Sequence, residues 1–237
     1  MNLVVCKEPD DLASRAAAEF VRIAKESIVE RGAFTVALSG GSTPILLYKR
    51  LLDSSLDWGR VFFYFGDERN VLPDEDASNF KGANKALFRP LRIREDNIFR
   101  WRTELETPDD VAEDYEQTLQ KLSPDVPRFD LILLGMGSDG HTASLFPGTD
   151  ALSETTRCAT ANWVPQLGSW RFTLSYPVIN NSRNVLFLVA GEDKAEMVKE
   201  VIEGDADLPA RSVRPVSGKL TWFLDRASAS DLADVNI

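Results

Sequence analysis

FTVALSGGSTPILLYKRLL, residues 34 to 52, decides the fold. FTVAL (34 to 38) is apolar at every position except one threonine, as in a strand buried on both faces. Two glycines and two hydroxyl residues follow, and then a helical run begins. Ser42 or Thr43 is suited to cap that helix, and Pro44 suits its first turn. Strand, tight glycine turn and helix make the β-loop-α unit of a parallel sheet.

The same alternation runs along the chain. LVVC (3 to 6), VFFYF (61 to 65), FDLILL (129 to 134), RFTLS (171 to 175), NVLFLVAG (184 to 191) and KLTWFLD (219 to 225) read as strands. NIFRW (97 to 101) and TRCATA are further strand candidates. A helix capped by Asp10 or Asp11 carries Leu12, Ala16, Phe20, Ile23 and Ile28 at helical spacing. SNFKGANKALF (78 to 88) reads as helical. Thr107 caps a helix with Pro108 first and Val111, Tyr115, Leu119 and Leu122 on one face. A last helix runs from about 193 to 203 and is closed by Gly204. Continuously apolar strands separated by helices predict an α/β domain with a mostly parallel sheet covered on both faces. No repeat, low-complexity tract or linker divides the chain, so residues 1–237 are expected to form a single domain.

Composition narrows the function. The chain is 43% hydrophobic and 27% charged, as in ordinary globular proteins. No apolar run reaches membrane-spanning length, and the start has no signal-peptide pattern, so a cytoplasmic protein is expected. The formal net charge of −10 argues against nucleic acid or an anionic membrane as partner. An anionic substrate would need cations gathered locally. Cys6 and Cys158 have neither metal nor redox spacing and read as buried thiols.

Parallel sheets bind ligands at the carboxyl ends of their strands. Three unusual loops are expected there: SGGSTP, GDERNV and GMGSDGHTASLFPG. In SGGSTP, the N–H groups of Gly40, Gly41, Ser42 and Thr43 at a helix start make an anion site, although an ordinary capped turn has the same ingredients. The GK[ST] lysine of an ATP-binding loop is absent, which favours a simpler phosphate. GMGSDG matches the dinucleotide fingerprint, but Pro147 and Gly148 stand where that fingerprint needs a long helix.

The chain's one histidine, His141, lies in the third loop, with Asp139 two residues before it and Ser144 three after. A lone histidine is commonly structural. In a glycine loop beside a carboxylate it also suits a general base. No G-x-S-x-G elbow supports a serine hydrolase, and one histidine without clustered cysteines is a poor metal site, so none is expected. Candidate anion ligands are Arg69, beside Asp67 and Glu68; Arg171, opening its strand; and Lys194, near a helix start where the macrodipole disfavours a cation. Each has a bland alternative as a solvated surface charge.

SGGSTP, GDERNV, SNF, GMGSDGHTASLFPG and AGEDKA, in this order, resemble the 6-phosphogluconolactonases over about residues 8 to 225. The resemblance implies a three-layer αβα sandwich with a Rossmann-like sheet, like glucosamine-6-phosphate deaminase, ribose-5-phosphate isomerase and CoA-transferase subunits. It implies hydrolysis of 6-phospho-D-glucono-1,5-lactone, a phosphorylated sugar lactone, without metal or organic cofactor. His141 and Asp139 would then be catalytic. Gly40, Gly41, Ser42, Thr43, Asp67, Arg69, Arg171 and Lys194 would hold the substrate, in a monomer or weak homodimer. The related deaminases carry a glutamate where this chain has Phe146, and Asp-Glu-Tyr where it has Asp67-Glu68-Arg69. A deaminase and a non-catalytic sugar-phosphate sensor are the alternatives.

Overall fold

The computed structural model describes residues 1–123 and 125–233. Its elements are β1 (Asn2–Cys6), α1 (Pro9–Arg31), β2 (Phe34–Leu38), α2 (Ser42–Leu51), β3 (Val61–Phe65), β4 (Asp67–Arg69), α3 (Asn79–Ala83), α4 (Arg89–Leu91), α5 (Pro108–Leu122), β5 (Leu131–Leu134), β6 (Ala159–Val164), β7 (Ser169–Leu174), α6 (Tyr176–Asn181), β8 (Asn184–Val189), α7 (Ala195–Ile202) and β9 (Lys219–Asp225).

Six strands form one sheet in the order β1-β9-β8-β5-β2-β3, and every pairing is parallel. Helices flank the sheet, and α1 and α2 pack on each other. The apolar stripe of α1 is inward: Leu12, Ala16, Phe20 and Ile23 are buried, and Ile28 is half-buried against the core. No helix among the described residues is long and apolar enough to cross a membrane.

The chain winds outward from β2 to β3, then returns to β2's other side for β5, β8 and β9. The direction therefore switches between β2 and β5. A crevice opens at such a point, because the loops leaving the two strands turn to opposite sides. SGGSTP follows β2, and GMGSDGH follows β5.

A second, three-stranded sheet, β4-β7-β6, is antiparallel. It begins where β3 leaves the main sheet: Gly66 N donates to Leu38 O, and Leu174 N donates to Gly66 O. GDERNV is thus not simply a loop, because its first acidic-basic run is strand β4.

Several local expectations are corrected. Glu8 is the N-cap of α1, with Pro9 inside the first turn, so Asp10 and Asp11 are helical residues that complement the dipole. Gly41, not Ser42 or Thr43, is the N-cap of α2. NIFRW is no strand. Ile98 makes one parallel bridge to Phe63, after which side chains take over the edge of β3. Phe65 N donates to Tyr115 Oη at 2.8 Å, and Phe65 O accepts from Tyr115 Oη and Trp101 Nε1. The 78–88 segment is helical, but α3 gives way to a π-turn over Asn84–Phe88. Thr107 caps α5 with a reciprocal bond to Asp110, as the sequence predicts.

Candidate active site

A cleft of about 560 Å³ lies at the switch point. Gly40, Gly41, Ser42, Thr43, Asp67, Arg69, Asp139, His141, Arg171 and Lys194 all line it. Every residue singled out from the sequence is therefore brought to one place, although the set spans more than 150 positions of the chain.

The α2 turn opens on the cleft through a glycine N-cap. Gly41 has φ +104°, a conformation L side chains rarely adopt, and no side chain caps the helix. Its first turn holds no acidic residue, so the N-terminal N–H groups and dipole face the cleft uncompensated. Gly40 is required for another reason. A Cβ there would lie 1.7 Å from Asn79 Oδ1. Asn79 is buried beneath the turn and donates from Nδ2 to Asp67 O at 3.0 Å and Asp67 Oδ1 at 3.2 Å.

Arg69 and Arg171 are direct cross-strand partners on β4 and β7. Like charges at paired positions repel. Neither arginine has a carboxylate within ion-pair distance among the described residues. Arg69 Nη1 donates to Ala77 O, and Arg171 Nη1 donates to Ser169 Oγ and Trp170 O, all neutral acceptors. Burial and the neighbouring Arg69 both push the Arg171 guanidinium below its usual range. A bound dianion would relieve this repulsion. Lys194 ends a 3₁₀ turn (Glu192–Lys194), caps α7 and lies 3.4 Å from Asp193 Oδ2.

Asp67 and Glu68 are not a surface ion-pair cluster, because both are buried. Glu68 accepts from the N–H groups of Arg69, Asn79 and Phe80 and from Ser78 Oγ, which ties α3 to β4. Asp67 Oδ2 accepts from Ser144 Oγ at 2.9 Å. Burial pushes both carboxyls above the usual range, against the pull of Arg69 on Asp67 and of backbone donors on Glu68.

The histidine loop is fixed at several points. Gly137 N donates to His141 O, Thr142 Oγ1 to Gly135 O at 2.8 Å, and Ser144 N to Thr173 Oγ1. Ala143 is held left-handed between them at φ +47°, a strained conformation for alanine. A Cβ on Gly137 would lie 2.1 Å from His141 Nδ1, so glycine lets the imidazole lie against the backbone. Asp139 Oδ1 lies 2.6 Å from His141 Nδ1 and also accepts from His141 N at 3.1 Å. Burial would raise the Asp139 carboxyl, but the charge and hydrogen bonds of His141 outweigh it and hold it below the usual range. Phe146 stacks on the imidazole with centroids 4.1 Å apart. With Nδ1–H donated to Asp139, Nε2 is left as the acceptor.

Asn79, Ser144 and Phe146 were not among the candidate site residues. Phe146 had one signal, its place in the loop that carries His141. Asn79 and Ser144 lie within SNF and GMGSDGHTASLFPG, but their bonds to Asp67 are long-range and not encoded locally. Among the described residues, no group of three or more His, Cys, Asp or Glu side chains is placed to hold a metal ion.

Fold and cleft together define a class: an α/β protein whose switch-point cleft gathers a helix N-terminus, two facing arginines and a carboxylate-oriented imidazole. The chain belongs to the glucosamine-6-phosphate isomerases/6-phosphogluconolactonase family, whose model matches residues 7–222. It is 42% identical over 218 residues to the 6-phosphogluconolactonase of a Synechocystis species, covering 89% of each chain. It is 36% identical to that of Chlamydia pneumoniae, covering 98% of this chain and 91% of the relative. The solved structure of 6-phosphogluconolactonase from Trypanosoma brucei superposes with a TM-score of 0.89 at 33% identity, covering 98% of both chains. A monomeric glucosamine-6-phosphate deaminase shares the fold, with a TM-score of 0.82 at 23% identity.

Proposed function

We propose that this chain hydrolyses 6-phospho-D-glucono-1,5-lactone to 6-phospho-D-gluconate, the second step of the oxidative pentose phosphate pathway, with His141 as general base. The observation that carries the reading is the His141–Asp139 pair, 2.6 Å apart, in one cleft with two facing arginines that have no ion-pair partner among the described residues. The first is a base; the second is a seat for a phosphate.

The 6-phosphate is held by the α2 N-terminus at Gly40–Thr43 with Arg69, Arg171 and Lys194. That anchor presents the lactone carbonyl to His141. Nε2 takes a proton from water as the water oxygen bonds to C1. Asp139, holding Nδ1–H, stabilises the imidazolium that results. The tetrahedral intermediate collapses, the bond from C1 to the ring oxygen breaks, and Nε2–H returns its proton to that oxygen. Gly137 N and Gly140 N are already bonded to His141 O and Gly137 O, so oxyanion stabilisation falls to other donors of the cleft. The reaction so written uses no metal or organic cofactor. Phe146 against the imidazole supports lactonase over deaminase chemistry, since an apolar ring stands where the deaminases carry a carboxylate.

The test is acid release from freshly made lactone, corrected for spontaneous hydrolysis. The phosphorylated lactone should be turned over with a far higher kcat/KM than gluconolactone itself, because remote phosphate contacts position the reacting carbon. Equal values for the two lactones, or ammonia release from glucosamine 6-phosphate instead, would overturn the reading.

A further inference from the structure

Given the lactonase reaction proposed above, we propose that Ser144 is a positioning residue for it. Ser144 clamps the histidine loop to the strands that carry Arg69 and Arg171, and so sets the span between the base and the phosphate seat.

Every polar group of Ser144 is tied to the small sheet. Its Oγ donates to Asp67 Oδ2 on β4 at 2.9 Å. Its N–H donates to Thr173 Oγ1 on β7 at 3.3 Å. Its carbonyl accepts from Asn162 Nδ2 on β6 at 2.9 Å. Side chains alternate along a strand, and directly paired residues share a face. Asp67 pairs with Thr173, Arg69 with Arg171, and Arg171 with Asn162. The clamp and the two arginines therefore stand on one face of the sheet. Along β4 and β7 they are two residues apart, or about 7 Å.

Ser144 reaches His141 through a tight turn. Leu145 N donates to Thr142 O at 2.9 Å, Ala143 is left-handed, and Thr142, Ser144 and Leu145 are buried. The loop does not need the clamp to close, because Gly137 N, Thr142 Oγ1 and Asp139 already hold it from within. What the Ser144 bonds add is the loop's place against the sheet. Asp67 is a buried post for it: Oδ2 accepts from Ser144 Oγ, and Oδ1 accepts from Asn79 Nδ2 at 3.2 Å. In the substrate, phosphate and C1 carbonyl belong to one small ring molecule, which limits the distance between them. With the phosphate seated on the arginines, the carbonyl meets Nε2 only if the loop stands at the matching distance. A lactone without phosphate has no such anchor and can shift to follow the base.

Ser144→Ala removes the Oγ donor, and Thr173→Val removes the acceptor for Ser144 N from the other strand. Initial rates on the phosphorylated lactone and on gluconolactone are compared for both variants and the unmodified chain, below the melting temperature of each. On the phosphorylated lactone, kcat should fall roughly 10- to 100-fold, the scale of a misplacement near 1 Å, with KM little changed. On gluconolactone, kcat/KM should change little, so the preference for the phosphorylated substrate shrinks by nearly the same factor. An equal fall on both lactones would make Ser144 a prop for its loop and overturn the proposal, as would no fall on either. An unmodified chain inactive on the phosphorylated lactone would overturn the reaction and the clamp with it. An active chain whose variants keep its preference would overturn the clamp alone.

Discussion

Gly40→Ala tests how the anion turn is supported. The backbone there accepts alanine, but the new Cβ would sit 1.7 Å from Asn79 Oδ1 and 2.4 Å from Asn79 Cγ. Ordinary contact begins at 3.4 Å, so the amide must retreat by about 1.7 Å. Its bonds to Asp67 O and Oδ1, now 3.0 and 3.2 Å, do not survive that movement. One neutral and one charge-assisted bond lost inside the protein cost roughly 2–4 kcal/mol together. For a chain of this size that lowers the melting temperature by roughly 5–15 °C. Asn79→Ala loses the same bonds without the clash and should cost a similar amount. In the double variant the methyl meets no amide, so it should melt close to Asn79→Ala alone. The coupling energy would then be about as large as the single Gly40→Ala effect. Thermal melts of the four proteins give the answer. A Gly40→Ala protein that melts like the unmodified one, or strictly additive effects in the double variant, would refute the reasoning.

Arg171→Met should weaken 6-phosphogluconate binding by roughly 10- to 100-fold, the loss of a charge-assisted contact. Its melting temperature should be unchanged or higher, because the repulsion across the Arg69–Arg171 pair is gone; titration calorimetry and a melt check both. Asp67→Asn should show a pH-dependent stability difference. The folded protein raises the Asp67 carboxyl, so that group's stabilising contribution is full below the unfolded carboxylate range, near 4, and is lost as pH rises through the folded value. The variant should therefore gain on the unmodified protein as pH rises from about 4 to 7, while losing activity; parallel stability curves would contradict this.

The main sheet was legible because its strands are apolar on both faces and its loops are glycine-rich at one end. That the candidate residues would share one cleft was legible because most of them sit in or beside those loops. What escaped is long-range. β4 is three charged-residue positions long and is a strand only because β7 pairs with it. Asp67 and Glu68 look like surface charges, yet they are buried under donors from α3 and the histidine loop. NIFRW has strand composition, but Trp101 and Tyr115 satisfy the edge of β3 with side chains, leaving no ladder to join. Cap positions at α1 and α2 shifted because Pro9 and the left-handed Gly41 set those helix starts, where side-chain capping preference predicts Asp10 or Asp11 and Ser42 or Thr43.

The central claim is that His141 moves the proton in lactone hydrolysis, and His141→Asn measures it. Asparagine keeps a polar side chain of similar reach but cannot take up a proton in the working range. The variant should lose roughly 10²–10⁴-fold in kcat on 6-phosphogluconolactone. It should still bind 6-phosphogluconate, because the residues proposed to hold the phosphate lie on other elements. Near-normal turnover, together with a melting temperature several degrees lower, would make the imidazole a prop for its loop and contradict the mechanism.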